Sequence, residues 1–130
     1  MEQDPIFLTR GQIDTIHREQ LEAWGGLHGL RSEDGLESAI AQPQNVYFYG
    51  TGDLFEIAAA YAYHLAESQA YLDGNKRTAV EAALDFLEIN GTDTSPLPEL
   101  AAYEAMIRVA NHALDRTGLA NFFRDALKPL

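Results

Sequence analysis

Apolar residues recur at the 3.6-residue period of an α-helix along most of the chain, and one stretch breaks the pattern. Ile13, Ile16, His17, Leu21 and Trp24 share a helical face. Thr9 with Gln12 three residues on has the form of a capping box that opens this helix, and Gly25-Gly26 stops it. Ser32 predicts the cap of a second, short helix through Leu36, Ala39 and Ile40. It is expected to end before Pro43, since proline disfavours helix at the preceding residue. The break falls at Asn45 to Gly52, where the strand formers Val46, Tyr47, Phe48 and Tyr49 lie beside Gly50 and Gly52, predicting a short hairpin or extended flap.

Helical periodicity then resumes. Asp53 and Glu56 have capping-box spacing and open a long helix running to about Glu67. A loop from Gln69 to Asp73 leads to a further helix from about Gly74, with Val80, Ala83, Leu84 and Leu87 on its apolar face and Asn90-Gly91 as its stop. Ser95-Pro96-Leu97-Pro98 precedes a helix carrying Leu100, Tyr103, Met106, Ile107 and Ala110, and a last helix spans about Leu119 to Leu127. The expected class is all-α, five to six helices with a small β flap. Trp24 and the Phe122-Phe123 pair are expected in the core.

Composition narrows the possibilities. The 130 residues, without repeat or low-complexity linker, read as one domain over 1–130. Cysteine is absent, which removes disulfides, thiolate metal sites and thiol nucleophiles. The longest apolar run, Ile57 to Tyr63, is far short of the about 20 residues a membrane span needs. The first ten residues have no signal-peptide stretch, so the chain reads as cytoplasmic. Nine basic against twenty acidic residues give a net charge of −11, which argues against a nucleic-acid partner. Against that background, Lys76-Arg77 is the only adjacent basic pair.

That pair lies in Gln69-Ala70-Tyr71-Leu72-Asp73-Gly74-Asn75-Lys76-Arg77-Thr78, a loop feeding a helix N-terminus. The first N–H groups of a helix lack intrahelical partners and, with the positive end of the macrodipole, favour an anion. Gly74 allows close approach to the backbone, Asn75 and Lys76 add donors, and Arg77 offers a fork that grips phosphate. Asp73 supplies one hard oxygen suited to Mg²⁺ held mainly by water and phosphate. These parts describe a site for a metal-bound polyphosphate. The competing reading makes Asp73 an N-cap, Gly74 and Asn75 turn residues, and Lys76-Arg77 a solvated pair. Cations at a helix N-terminus oppose the macrodipole, a small cost that a bound anion reverses.

Asp73-Gly74-Asn75-Lys76-Arg77-Thr78 resembles the core of the Fic-fold signature H-x-F-x-D-G-N-x-R, and lysine at 76 resembles its death-on-curing (Doc) branch, the toxins of small toxin–antitoxin pairs. The resemblance extends to Phe7-Leu8-Thr9, Trp24-Gly25-Gly26, Gly29-Leu30-Arg31, Gly35 to Ala39, Gln42-Pro43-Gln44, Ala83 to Leu87 and Asn90-Gly91. It implies that Asp73 binds Mg²⁺, that Gly74 and Asn75 form an anion hole, and that Arg77 holds a further phosphate. Most Fic proteins transfer AMP and carry glycine where this chain has Lys76. Members with lysine there are implied to bind ATP reversed and to pass its terminal phosphate to a threonine of elongation factor Tu, halting translation. The resemblance also implies that Val46 to Tyr49 aligns a target peptide by strand pairing, the alternative being a strand packed on its own core. Many Fic proteins carry an inhibitory motif [S/T]-x-x-x-E-[G/N]. Thr15 with Glu19-Gln20 and Ser95 with Glu99-Leu100 both fail to complete it, so inhibition is expected from a separate small antitoxin protein.

One position departs from the signature. The family's histidine, the general base for the target hydroxyl, falls on Gln69, and glutamine has no proton-accepting equilibrium near neutral pH. His64, five residues upstream, lies about 140° around and about 7.5 Å along a helix from that position and is expected to face elsewhere, partly buried. His17, His28 and His112 are distant in sequence and nothing marks them as ligands. Tyr71, in place of phenylalanine, is expected to anchor the loop in the core. Gln69 admits three explanations: a pseudoenzyme that retains binding, a different or substrate-assisted chemistry, or an inactivated form of a toxin. The third is favoured, since histidine and glutamine codons differ by one base. The alternatives to a Doc-type kinase are a catalytically silent nucleotide- or partner-binding module and an AMP-transferring protein.

Overall fold

The computed structural model describes residues 3–50 and 52–128; Thr51, inside the expected flap, and the termini of the expected 1–130 domain lie outside the described residues. Among the described residues six helices follow one another: α1 Arg10–Trp24, α2 Glu33–Tyr49, α3 Leu54–Ser68, α4 Asn75–Ile89, α5 Glu99–Ala110 and α6 Arg116–Leu127. The capping box of α1 is complete, with Thr9 Oγ1 accepting from Gln12 N at 3.1 Å and Gln12 Oε1 accepting from Thr9 N at 2.7 Å. Ser32 caps α2 through Gly35 N at 2.9 Å, and Asp53 caps α3 through Glu56 N at 2.9 Å. The last helix starts earlier than the apolar pattern predicts, because Asp115 accepts from Gly118 N at 2.7 Å and sets its N-terminus.

The expected flap is a helix instead. Residues 46–49 form the last turn of α2, which runs straight through a buried Pro43. Proline removes one helical hydrogen bond, and Val46, Tyr47 and Phe48 favour strand, yet all are overridden by packing. Val46 and Tyr47 lie half-buried against the core, and Phe7 meets Tyr47 edge-on at 6.0 Å between ring centroids. Tyr47 also donates to Asp4 Oδ1 at 2.6 Å. The β structure among the described residues is an isolated antiparallel bridge between Leu30 and Tyr71, far from the position the pattern indicated.

One hydrophobic cluster draws on all six helices, and α3 sits at its centre, packed against α2, α4, α5 and α6. Ala58, Ala59, Ala60, Tyr61 and Ala62 are all buried, as expected of a helix apolar all round. Small side chains let neighbouring helices approach closely. The segment before α1 is tied down by polar contacts. Leu8 N donates to the buried Tyr61 hydroxyl at 2.9 Å, while Ile6 exchanges two hydrogen bonds with Asn90, at 2.8 and 2.9 Å. Phe123 is in the core as expected and Phe122 packs half-buried against it. Trp24 is not: it is 55% exposed.

Candidate functional site

The turn from α3 to α4 opens onto a cleft of about 690 Å³, within the usual range for small-molecule sites. Its walls come from five places: the end of α1 with Trp24, Gly25 and Gly26; Arg31 before α2; the end of α3 with Glu67 and Gln69; the start of α4 with Asp73 to Arg77; and α5 with Tyr103 and, just past its end, His112. All the sequence-designated residues, Gln69, Asp73, Gly74, Asn75, Lys76 and Arg77, therefore line one cavity.

Local bonds fix the loop that carries them. Arg31 N and Ser32 N donate to Ala70 O at 2.6 and 3.0 Å, and Leu72 N donates to Gly29 O at 3.0 Å. The Asn75 side chain clasps the loop from below, with Oδ1 accepting from Tyr71 N at 3.1 Å and Nδ2 donating to Tyr71 O at 2.9 Å. Asn75 is thus mainly a brace, and what it offers an anion directly is its backbone N–H. Tyr71 is buried, as anticipated, and its hydroxyl donates to Asp14 Oδ1 at 2.7 Å. Burial and that carboxylate push the Tyr71 phenol above its ordinary value. Asp14 is held in turn by Arg10, whose guanidinium also meets Glu33 and Glu37, and these carboxylates raise the Arg10 pKa further. His17 stacks on Tyr71 with centroids 3.7 Å apart and planes 9° from parallel. Its Nε2 lies 2.8 Å from Asp73 O, and because a carbonyl only accepts, Nε2 carries the proton. The contacts of Asp14 and His17 with this loop are not legible in the sequence, because each spans more than fifty residues of chain.

Glycine is required at two points. Gly74, the N-cap of α4, has φ +80°, and a Cβ there would lie 3.2 Å from Leu21 Cδ2. Gly26, at φ +126°, leaves room for Asp73, whose Cβ a side chain would meet at 3.0 Å. Asp73 is not the N-cap of α4. Its Oδ2 accepts from Leu27 N at 2.7 Å, which holds the carboxylate against the loop that follows α1.

The start of α4 differs from that of α1, α2, α3 and α6, which are closed by Thr9, Ser32, Asp53 and Asp115. Among the described residues no side chain caps α4 and its first turn holds no acid, so the N–H groups of Asn75, Lys76 and Arg77, which have no intrahelical partners, gain no side-chain cap either. Among the described residues no carboxylate pairs with Lys76 or Arg77, whereas Arg10, Arg18 and Arg124 are all ion-paired. The Arg77 guanidinium is sandwiched instead, its carbon 3.9 Å from the Trp24 ring centroid and 4.1 Å from that of Tyr103. Two stacked faces fix its plane and leave the N–H edge for an in-plane acceptor such as phosphate. This gives exposed Trp24 its role, and Tyr103 was missed because only the folding of α5 brings it to Arg77.

Gln69 is exposed at the C-cap of α3 in left-handed backbone, φ 46°. His64 faces away from the cleft, as its helical phase predicts: it is half-buried, with Nε2 accepting from Arg116 Nη1 at 3.1 Å. Burial and then the Arg116 charge lower its pKa. Among the described residues no group of three or more His, Asp or Glu side chains makes a metal cage. A divalent ion here would be held by the Asp73 carboxylate with phosphate and water, a donor set that fits Mg²⁺.

Among the described residues no helix is long and apolar enough to cross a membrane. Two relatives share much of the chain. A protein named "Protein kinase doc" from Escherichia phage P1 is 35% identical over 91 residues, covering 69% of this chain and 72% of its own length. "Toxin Doc" of Mycolicibacterium smegmatis is 44% identical over 72 residues, covering 53% of this chain and 55% of its own. The profile of the Fic/DOC family matches residues 7–87, which include α1 to most of α4 and the whole turn that carries the cleft. The chain belongs to the Fic/DOC family.

Proposed function

We propose that this chain is a Doc-type toxin of a toxin–antitoxin pair, whose cleft binds Mg-ATP to phosphorylate a threonine of elongation factor Tu and arrest translation. The observation that carries the reading is the uncapped start of α4, with three free N–H groups beside the unpaired Lys76 and the stacked Arg77. The two Doc-named relatives support both toxin and kinase, and with them a separate antitoxin as partner. In this reading the N–H groups of Gly74 to Arg77 receive phosphate oxygens, Arg77 grips a second phosphate with its N–H edge, and the Lys76 ammonium neutralises a third. Mg²⁺ would be held by Asp73 and would offset phosphate charge during transfer. The work is electrostatic and positional, which is what phosphoryl transfer asks of a protein.

Gln69 cannot accept the proton of the target hydroxyl, so transfer from that position is impaired. That feature favours a second reading, a silent module that binds nucleotide or partner without chemistry. Growth on expression of this chain beside Gln69→His separates them. The kinase reading expects arrest and elongation factor phosphorylation at least with histidine at 69. If that variant leaves both untouched, the kinase reading fails. ATP labelled at the α or γ phosphate distinguishes AMP transfer from phosphate transfer, and γ label on the target is expected.

A further inference from the structure

Two non-glycine residues among those described have left-handed backbone, Gln69 at φ 46° and His112 at φ 61°, and both line the cleft. His112 follows the Asn111 C-cap of α5. His112 N donates to Val109 O at 3.0 Å and Ala113 N to Arg108 O at 2.8 Å, the paired bonds of a Schellman motif. Glycine or asparagine is the usual occupant of that left-handed position, because a larger side chain is strained there. Here it holds a histidine whose side chain is exposed and lines the cleft with Gln69 and Lys76. It carries the only imidazole among the described residues that line this cleft.

Imidazole is the side chain whose ordinary pKa suits proton transfer near neutrality, and strain kept at a site points to a use for it. The other charged or titratable groups facing the cleft are Glu67 on α3, Asp73, Lys76 and Arg77 at the start of α4, Arg31, and Tyr103 on α5.

We propose that His112 is the catalytic base of this chain, taking within the same cleft the part that Gln69 cannot play. The inference rests on the phosphoryl-transfer reading given above. A neutral ring nitrogen of His112 takes the proton from the target hydroxyl. The hydroxyl oxygen forms a bond to the γ phosphorus of ATP as the bond from that phosphorus to the β–γ bridging oxygen breaks. ADP leaves with the electron pair, and the imidazolium returns its proton to water.

The test compares γ-phosphate transfer to elongation factor Tu by four proteins: the chain itself, His112→Asn, Gln69→His, and the double variant. Asparagine accepts left-handed backbone, so His112→Asn should keep the fold, checked by its thermal midpoint, and keep Mg-ATP affinity. The chain should show residual transfer that rises with pH as an imidazole base loses its proton and then levels. His112→Asn should transfer at least about tenfold more slowly and lose that pH limb, while the double variant regains activity through its new histidine. Equal rates with and without His112 overturn the proposal. Transfer by Gln69→His with none by the chain itself also overturns it, while sparing the kinase reading. Silence from all four overturns both.

Discussion

The guanidinium carbon of Arg77 lies 3.9 Å from the centroid of the Trp24 ring, so the last residue of α1 sets the plane of a cation on the first turn of α4. Cation–π contacts of this kind contribute about 0.5–2 kcal/mol. Trp24→Ala should therefore weaken Mg-ATP binding by about 2- to 30-fold in titration calorimetry. Trp24 is mostly exposed, so the thermal midpoint should change little. Unchanged affinity would mean that Arg77 needs no stacking partner to work.

Asn75→Asp separates the brace from the anion site. The carboxylate still accepts from Tyr71 N, the bond to Tyr71 O is lost, and a negative charge arrives on the first turn of α4, beside the N–H groups expected to receive phosphate. An acid at a helix N-terminus is itself favourable, so stability should change by no more than about 1 kcal/mol. Mg-ATP affinity should fall at least about tenfold, through charge repulsion alone. Calorimetry beside a urea melt reads both effects.

Tyr61→Phe tests how the chain before α1 is anchored. The change leaves the buried Leu8 N–H without its acceptor, which costs about 1–3 kcal/mol. The urea midpoint should drop with the slope of the transition unchanged. A neutral substitution would show that water reaches this amide in the folded protein.

Glu81 should make stability depend on pH. Burial, and after it the neighbouring Asp85, push its carboxyl up to about 7. Folding thus raises this pKa, and the native state holds the proton more tightly than the unfolded chain does. The contribution is fully present below about 4.5 and lost as pH rises through about 7. Glu81 is only half-buried, so solvent screening limits the effect to the order of 1 kcal/mol. Glu81→Gln should accordingly stabilise the protein more at pH 8 than at pH 5, as read from urea midpoints. An equal effect at both values would place the carboxyl in the ordinary range.

What the sequence made legible was local. Thr9 with Gln12 and Asp53 with Glu56 each act within one turn of chain, so their spacing is enough to place two helix starts. The course of α2 was not legible, because Pro43 and Val46 to Tyr49 obey the packing of Phe7 and the core over their own propensities. Trp24 was assigned to the core by its hydrophobicity, whereas its partner Arg77 becomes adjacent only on folding. His112 was set aside for its distance in sequence from Gln69, a distance that the packing of α5 on α3 removes. That Gln69 offers no base follows from its residue type alone, since a residue's proton chemistry needs no coordinates.

The central claim is that the start of α4 is a site for a metal-bound nucleotide, independent of whether this chain completes a transfer. Titration calorimetry of the chain with Mg-ATP, repeated on Arg77→Ala, tests it most directly. One nucleotide should bind per chain, and binding should be lost or weakened at least about tenfold without the Arg77 fork. No binding by the chain, or equal binding by the variant, would contradict it.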